Sequence, residues 1–316
     1  MPASPAISVI VPAWGVGEYL GEALSSLQSQ IFGDWEAIVV DDGDTDRVAA
    51  AVAPFADEPR IRLLATDNGG LAMARNRGIA QARAPRISLL DGDDLYAPDY
   101  LARMIAALDA DPRLGFVTCD ARLFGVPEFE GKLFSQLEPQ TGAITLERVL
   151  RREFKVFGST TMRREALQAV GGFDQSLRSA EDLDLWVRIL EAGWSAARVD
   201  APLVHYRRRA SSLSANSLSL ARWVLRVYEN AVERLADRPE RAAAAEMLER
   251  ARNQLRIEEG VDAIVQRRTR EGVRLLLSTD IGRRSPKWRL AMRLFALFPP
   301  LAGPVVRAYM RGHHFG

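Results

Sequence analysis

Runs of β-branched and aliphatic residues alternate with helix-patterned stretches through the first half of the chain, an order characteristic of a parallel sheet with crossover helices. Ile7 to Pro12 (ISVIVP), Glu36 to Val40 (EAIVV), Arg60 to Leu64, Arg86 to Leu90 (RISLL) and Phe116 to Cys119 read as strands. Tyr19 to Gln30 and Leu71 to Ala82 are helical between them, and a further helix follows Pro98, whose ring suits a first helical turn. The expected fold class is α/β, a mostly parallel sheet flanked by helices. Ligands of such sheets bind in the crevice beyond the carboxyl ends of the strands. The residues directly after each strand therefore carry the functional information.

Two of those turns are acidic. Asp91-Gly92-Asp93-Asp94 follows RISLL, and three carboxylates packed this closely repel one another. A hard divalent cation, Mg2+ or Mn2+, relieves that repulsion and bridges to a diphosphate. The plainer alternative is a polar turn in which Asp and Gly end the strand. Asp41-Asp42-Gly43-Asp44 follows EAIVV, where a carboxylate can accept hydrogen bonds from a base N–H or a ribose hydroxyl. One such turn means little, but two after two strands of one sheet make coincidence less attractive.

A third acidic cluster, Ser179-Ala180-Glu181-Asp182-Leu183-Asp184, opens a helix expected over Glu181 to Glu191. Ser179 with Asp182 three residues on resembles a capping box, with Asp in place of the usual Glu or Gln. A cap accounts for Ser179 and one acid, not for three acids in four positions. The positive end of the helix dipole favours an ionised Asp182, which a general base requires.

Elsewhere the patterning is coarser. Asp120 to Thr145 reads as an insertion of loops or short antiparallel strands, followed by helical periodicity at Leu146 to Arg151 and Arg164 to Ala169 and an extended segment at Arg198 to Tyr206. From Leu218 to Leu277 the chain is rich in Ala, Arg, Leu and Glu, with Leu225, Tyr228, Val232 and Leu235 at helical spacing. Pro239 and a turn near Gly260 divide this α-helical C-terminal appendage into three helices.

Composition narrows the function. With 42 Lys+Arg against 41 Asp+Glu, the net charge of +1 gives no general attraction to nucleic acid. Cys119 is the only cysteine, so neither an intramolecular disulfide nor a thiolate metal site is available, and a reducing, cytoplasmic setting is expected. The start, MPASPAISVIVPAW, lacks the basic and long apolar regions of a signal peptide. The run Leu294 to Val306 is too short to span a membrane and is interrupted by Pro299, Pro300 and Pro304. Gly15-Val16-Gly17 lacks the third glycine of a dinucleotide fingerprint, since position 20 is Leu20. VPAWGVGEYL has no Lys or Arg, against a nucleotidyltransferase phosphate loop.

In order, ISVIVPAW, VVDDGDTD, GLAMARNRGI, RISLLDGDDLYAPDYL, GGFD and AEDLDLWVRI resemble the family 2 glycosyltransferases of the glycosyltransferase-A fold, over roughly residues 5 to 214. The resemblance implies inverting transfer of a sugar from a nucleotide-diphosphate sugar to an acceptor hydroxyl, with Mg2+ or Mn2+ as cofactor. It implies roles for particular residues. Pro12 and Trp14 lie where the family's first loop touches the base, Asp42 contacts the nucleoside and Arg75 lies near the nucleotide. Asp93 holds the metal and Asp91 the ribose, with overlap between them, and Asp182 with Glu181 beside it supplies the catalytic base. The sequence leaves the acceptor open among a lipid-linked saccharide, a surface polysaccharide and a protein, and the expected partner is a saccharide or lipid-linked saccharide of cell-surface polysaccharide or glycoconjugate synthesis. The competing reading is a degenerate transferase kept as a sugar-binding scaffold, against which the complete acidic set argues.

The sequence also departs from the family. The first loop ends in Trp14-Gly15 rather than Tyr-Asn, and Asp44 stands where a Ser is usual. In HYRRRASSLS, Arg209 occupies the position of a frequent His, so that Arg207 to Arg209 become candidates for neutralising the departing diphosphate. The expected division is residues 1–214 as catalytic domain, 215–280 as helical appendage and 281–316 as a basic amphipathic segment. Ile281 to Gly316 contains no Asp or Glu but carries Arg283, Arg284, Lys287, Arg289, Arg293, Arg307 and Arg311, with Trp288, Leu294, Phe295, Leu297 and Phe298 among them. That pairing fits either peripheral contact with the inner face of an anionic membrane or packing onto the catalytic domain.

Overall fold

The structure, a computed structural model, describes residues 4–209, 216–280 and 286–312. The chain divides into two compact units, Met1–Ser212 and Leu213–Gly316.

In the first unit the elements run β1 (Ile7–Ala13), α1 (Gly17–Gln28), β2 (Trp35–Asp42), α2 (Thr45–Val52), β3 (Ile61–Thr66), α3 (Leu71–Gln81), β4 (Arg86–Leu89), β5 (Leu95–Tyr96) and α4 (Tyr100–Asp109). Then follow β6 (Leu114–Phe124), α5 (Phe134–Leu137), α6 (Leu146–Leu150), β7 (Thr161–Arg163), α7 (Arg164–Ala169), α8 (Glu181–Glu191) and β8 (Ser195–Arg207). All eight strands form one sheet in the order β3-β2-β1-β4-β7-β6-β8-β5. Strands β3, β2, β1 and β4 are mutually parallel, as are β6 and β8. β7 runs antiparallel to both neighbours, and β5 antiparallel to β8.

Every residue of β1 and β2 is buried, as expected of strands covered on both faces. In α1, Leu20, Ala23, Leu24 and Leu27 recur at the i, i+3, i+4, i+7 spacing of one helical face. They join Ile7, Val9 and Val11 of β1 and Leu101, Met104 and Leu108 of α4 in one core. Each of the Val, Leu, Ile and Met side chains contributes about 1.5–3 kcal/mol on full burial. Cys119 lies in this core as a small hydrophobe, and burial pushes its thiol up to about 12.

The segment expected as an insertion from Asp120 is in part a continuation of β6. Ala121 and Leu123 keep pointing inward, and pairing with β8 runs on to Phe124 opposite Arg207. The charges of Asp120 and Arg122 mask that alternation in the sequence. Asp120 is buried but satisfied, accepting from the Ser135 amide and hydroxyl and from Arg198 Nη2 at 3.0 Å. Only then does the chain loop away, with isolated antiparallel bridges between Arg122 and Leu133 and between Ile144 and Ala196.

The second unit is helical: α9 (Ser217–Arg234), α10 (Arg241–Val265), α11 (Thr269–Ser278), α12 (Pro286–Leu297) and α13 (Pro299–Gly312). The break expected at Gly260 falls instead between α10 and α11. Gly260 lies inside α10, where a Cβ would lie 2.8 Å from Leu276 Cγ, and a Cβ on Gly272 would lie 2.5 Å from the Gly260 carbonyl. The two glycines allow α10 and α11 to approach backbone to backbone.

Met292, Phe295 and Ala302 pack with Ile257, Ile264, Val273 and Leu276, and Trp288 lies half-buried against them. Two aromatic residues of the basic segment, Phe295 and Trp288, thus turn inward on one helical face. Leu290, Leu294, Leu297, Phe298, Leu301 and Val305 remain exposed, as do Arg289 and Arg293. Among the described residues no helix is long and apolar enough to cross a membrane.

Candidate active site

The acidic turn sits where β4 ends beside β1, and its far side is clamped by β8. The Asp94 amide donates to the Asp91 carbonyl at 3.0 Å, and Leu95 and Tyr96 then pair with His205 and Val204. Gly92 is required here, since a Cβ would lie 2.8 Å from Val16 Cγ2 and 3.0 Å from the Pro12 carbonyl. The turn therefore packs directly on the first loop.

Each acid of the turn has a different fate. Asp94 is fully buried, and Oδ1 accepts from the Arg207 amide at 2.8 Å. Burial pushes its carboxyl well above the usual range, with the charges of Asp91 and Asp93 adding to the effect. Asp93 Oδ2 lies 2.6 Å from Arg209 Nη2. Burial and the charge of Asp91 still hold the Asp93 carboxyl above its usual value. Asp91 is the most open of the three, with its side chain 37% exposed, and Oδ1 lies 2.7 Å from Arg75 Nη2.

Arg75 is the centre of the arrangement. It projects from α3, is 3% exposed, and places Nη1 2.8 Å from Glu181 Oε1 while Nη2 holds Asp91. One guanidinium thereby ties the acidic turn to the start of α8. Burial pushes the Glu181 carboxyl up to about 7; Arg75 opposes that shift and neighbouring Asp182 reinforces it. The approach to α8 is fixed by Asn76, whose amide group donates to the Phe173 carbonyl at 2.8 Å and accepts from the Phe173 amide at 2.9 Å.

The capping box expected at Ser179 does not form. Ala180 is the residue before the first helical position and carries no side-chain cap, so the register is one residue later than the box needs. Ala180 has φ +57°, a left-handed conformation that costs a residue with a Cβ about 1–2 kcal/mol. Such strain, directly before an acid pair, is the kind held at functional sites. Asp182 is half-buried, and its Oδ1 accepts from the Leu183 amide at 2.7 Å. Asp184 is fully buried and paired with Arg188 at 2.7 Å, which makes it a structural acid.

At the neighbouring strand ends the first loop and the β2 turn are laced together. Asp44, the acid in place of the usual Ser, accepts from the Gly15 amide at 3.2 Å and so holds the first loop. Asp41 Oδ1 accepts from the amides of Gly43 and Asp44. Asp42 is buried, with Oδ1 on the Gly69 amide at 2.9 Å and Oδ2 on the Gly70 amide at 2.8 Å, so its charge organises the entry to α3. Arg77 Nη1 also reaches Oδ1 at 3.4 Å, so the further acceptor capacity lies on Oδ2. Pro12 is buried within β1, whereas Trp14 is 57% exposed at the mouth of the crevice.

The structure therefore brings Arg75, Asp91 and Glu181 into contact, with Asp93 and Asp182 beside them. It adds two residues that sequence reasoning did not place, Ala180 and Asn76, and it sets Arg207, expected as a diphosphate partner, into the scaffold of the turn, with Nε donating to the Asp93 carbonyl at 2.9 Å. Among the described residues no three His, Cys, Asp or Glu side chains form a ready metal cage. The donor chemistry of Asp91 and Asp93, two repelling carboxylates at a crevice mouth, fits a hard cation bound by one or two protein oxygens together with a phosphate ligand.

Known proteins share stretches of this sequence and its fold. The O-antigen biosynthesis protein RfbC of Myxococcus xanthus is 31% identical over 221 residues, 68% of this chain. The succinoglycan biosynthesis protein ExoO of Rhizobium meliloti is 33% identical over 226 residues, 66% of this chain. The matched regions amount to 17% of RfbC and 63% of ExoO. Two solved structures share the fold: S. aureus TarS 1–349 in complex with UDP (TM-score 0.62, 18% identity, 98% of this chain and 93% of that one) and the mannosyltransferase PcManGT from Pyrobaculum calidifontis in complex with GDP-Man and Mn2+ (TM-score 0.62, 21% identity, 96% and 87%). The family model described as glycosyl transferase family 2 matches residues 8–171, from the first strand past the acidic turn, and the chain belongs to that family.

Proposed function

We propose that this glycosyltransferase moves a sugar, with inversion, from a nucleotide-diphosphate sugar to an acceptor hydroxyl in the assembly of a cell-surface polysaccharide or glycoconjugate. The observation that carries this reading is the Arg75 bridge, which sets a half-exposed acid, Asp182, beside the acidic turn. Nucleotide-sugar donors are supported by the fold neighbours, which carry UDP and GDP-Man, and the polymer class by the names of RfbC and ExoO.

In this reading Trp14 offers its exposed indole to the base, Pro12 shapes the strand end beneath it, and Asp42 accepts from the nucleoside with its remaining lone pairs. Asp91 accepts from the ribose and shares the cation with Asp93. Mg2+ or Mn2+ held there supplies charge neutralisation for the departing nucleoside diphosphate. Asp182 takes the proton of the acceptor hydroxyl as that oxygen attacks the anomeric carbon from the face opposite the leaving group. Glu181, held by Arg75, fixes the start of the helix that aims Asp182.

The test is nucleotide binding with and without metal. UDP and GDP should bind the wild type at least tenfold more tightly with Mn2+ than without it, on the order of one charge-assisted contact, and Asp93→Ala should lose that difference. Equal affinity with and without Mn2+ in calorimetry would overturn the metal assignment.

Peripheral membrane contact forms part of the same proposal. Exposed Leu290, Leu294 and Leu297 of α12 and Leu301 and Val305 of α13, with Arg289 and Arg293 and no acid after Asp280, have the composition of a surface that lies on anionic lipid. Such a face would bring the enzyme to a lipid-linked acceptor. The intact protein is expected to float with phosphatidylglycerol vesicles at low salt, and Leu294→Glu with Leu297→Glu should abolish flotation. A wild type that stays at the bottom of the gradient refutes the contact.

A further inference from the structure

We infer that Arg209 and the divalent cation are alternative partners of Asp93, so that loading the metal and diphosphate displaces Arg209 from Asp93 onto the diphosphate. The inference rests on the proposed metal role of Asp93 and concerns the side chain that competes for it.

The three arginines that end β8 and follow it are held in unlike ways. Arg207 is built into the scaffold, with its amide on buried Asp94, Nε on the Asp93 carbonyl and Nη2 2.9 Å from Glu22. Its guanidinium also lies over the rings of Tyr19 and Phe124 at 4.6 and 4.3 Å. Arg208 turns away, over the rings of Phe129 and Tyr206 at 5.2 and 5.6 Å. Arg209 alone of these three places its guanidinium on an acid expected to meet the metal, 2.6 Å from Asp93 Oδ2, with Nη1 3.3 Å from the Gly15 carbonyl.

A guanidinium and a divalent ion cannot share that carboxylate without strong like-charge repulsion. The ion gains two carboxylates and a diphosphate, so in the loaded enzyme it is the stronger partner of Asp93. The displaced guanidinium then meets the anion it suits well, since its planar fork matches two phosphate oxygens. In the empty enzyme Arg209, 2.6 Å away, supplies the counter-charge of Asp93. The exchange makes metal binding without nucleotide weak and metal binding with nucleotide strong.

The experiment uses the full chain with Mn2+ alone as the first probe, followed by UDP and GDP at saturating Mn2+, all by calorimetry. Arg209→Gln should bind Mn2+ alone about tenfold more tightly than the wild type and bind the nucleoside diphosphate about tenfold more weakly, the scale of one charged contact. Arg209→Lys, which keeps a point charge without the fork, should leave Mn2+ affinity nearer the wild type while weakening the nucleotide. If Arg209→Gln binds Mn2+ no more tightly than the wild type, including the case where neither binds detectably, the competition is overturned. If metal affinity rises but nucleotide affinity holds, the transfer to the diphosphate is overturned. Asp93→Ala separates the two levels: nucleotide-dependent Mn2+ binding that survives this change refutes the metal site itself rather than the exchange.

Discussion

Asp182→Asn is expected to lower acceptor-dependent turnover by roughly two to four orders of magnitude while leaving nucleotide affinity and melting temperature close to the wild type, because the substitution removes basicity and little else. Asparagine keeps an oxygen that can accept from the Leu183 amide, as Asp182 Oδ1 does at 2.7 Å. Loss of the charge from the first turn of α8 costs about 0.3–1 kcal/mol. The neighbours make informative controls because each is held differently. Asp184→Asn breaks the buried pair with Arg188 and should cost on the order of 1–3 kcal/mol of stability with turnover per folded molecule retained. Glu181→Gln breaks the contact with Arg75 and should lower activity less than Asp182→Asn does, through the position of α8. A fully active Asp182→Asn enzyme refutes the base assignment. An inflection in kcat/KM near pH 7 that disappears in Glu181→Gln would move the base to Glu181, whose carboxyl burial holds at about 7.

The parallel half of the sheet was legible because central strands covered on both faces read as continuous apolar runs, and ISVIVP, EAIVV and RISLL are such runs. The acidic turns were legible for the same reason, since each directly follows a strand that could be read. β5 and β7 were not, because two or three residues carry no periodicity. β6 reads as a strand only to Cys119, since buried Asp120 and the exposed Arg122 interrupt an inward alternation that continues. At the site, residue types were readable and their partners were not. Nothing in the sequence marks Ala180 as left-handed, because glycine is the residue that usually signals that conformation. Nor does it show that Asp44 holds Gly15, or that Arg209 reaches Asp93, since both contacts are made by tertiary structure alone.

Arg75 shows how far such a partnership can outweigh the residue's local setting. Arg75→Met keeps the stem and removes the charge that serves both Asp91 and Glu181, and it is expected to cost about 3–5 kcal/mol of stability at pH 8, the range for removing one partner of a buried ion pair. The cost should depend on pH, with a sign that follows from Glu181. A carboxyl whose folded value is raised contributes stability that is present below its unfolded value and lost as pH rises through the folded one. In the wild type Arg75 opposes that rise and Glu181 stays at about 7, so the loss is complete a little above neutrality. Without Arg75, burial and Asp182 act on Glu181 unopposed, its value climbs further, and stability continues to fall with pH where the wild type has levelled off. The deficit of Arg75→Met should therefore be smaller at pH 6, where Glu181 can take up a proton, and larger at pH 8. Adding Glu181→Gln should restore part of the stability at pH 8, because the stranded charge is then gone, although turnover stays low with the turn and α8 no longer tied. Urea unfolding of the single and double variants at both pH values reads all of this directly. A deficit equal at pH 6 and pH 8, unrelieved by Glu181→Gln, would mean that Arg75 acts by packing over the Phe173 ring, 5.3 Å away, rather than as the shared counter-charge of the two acids.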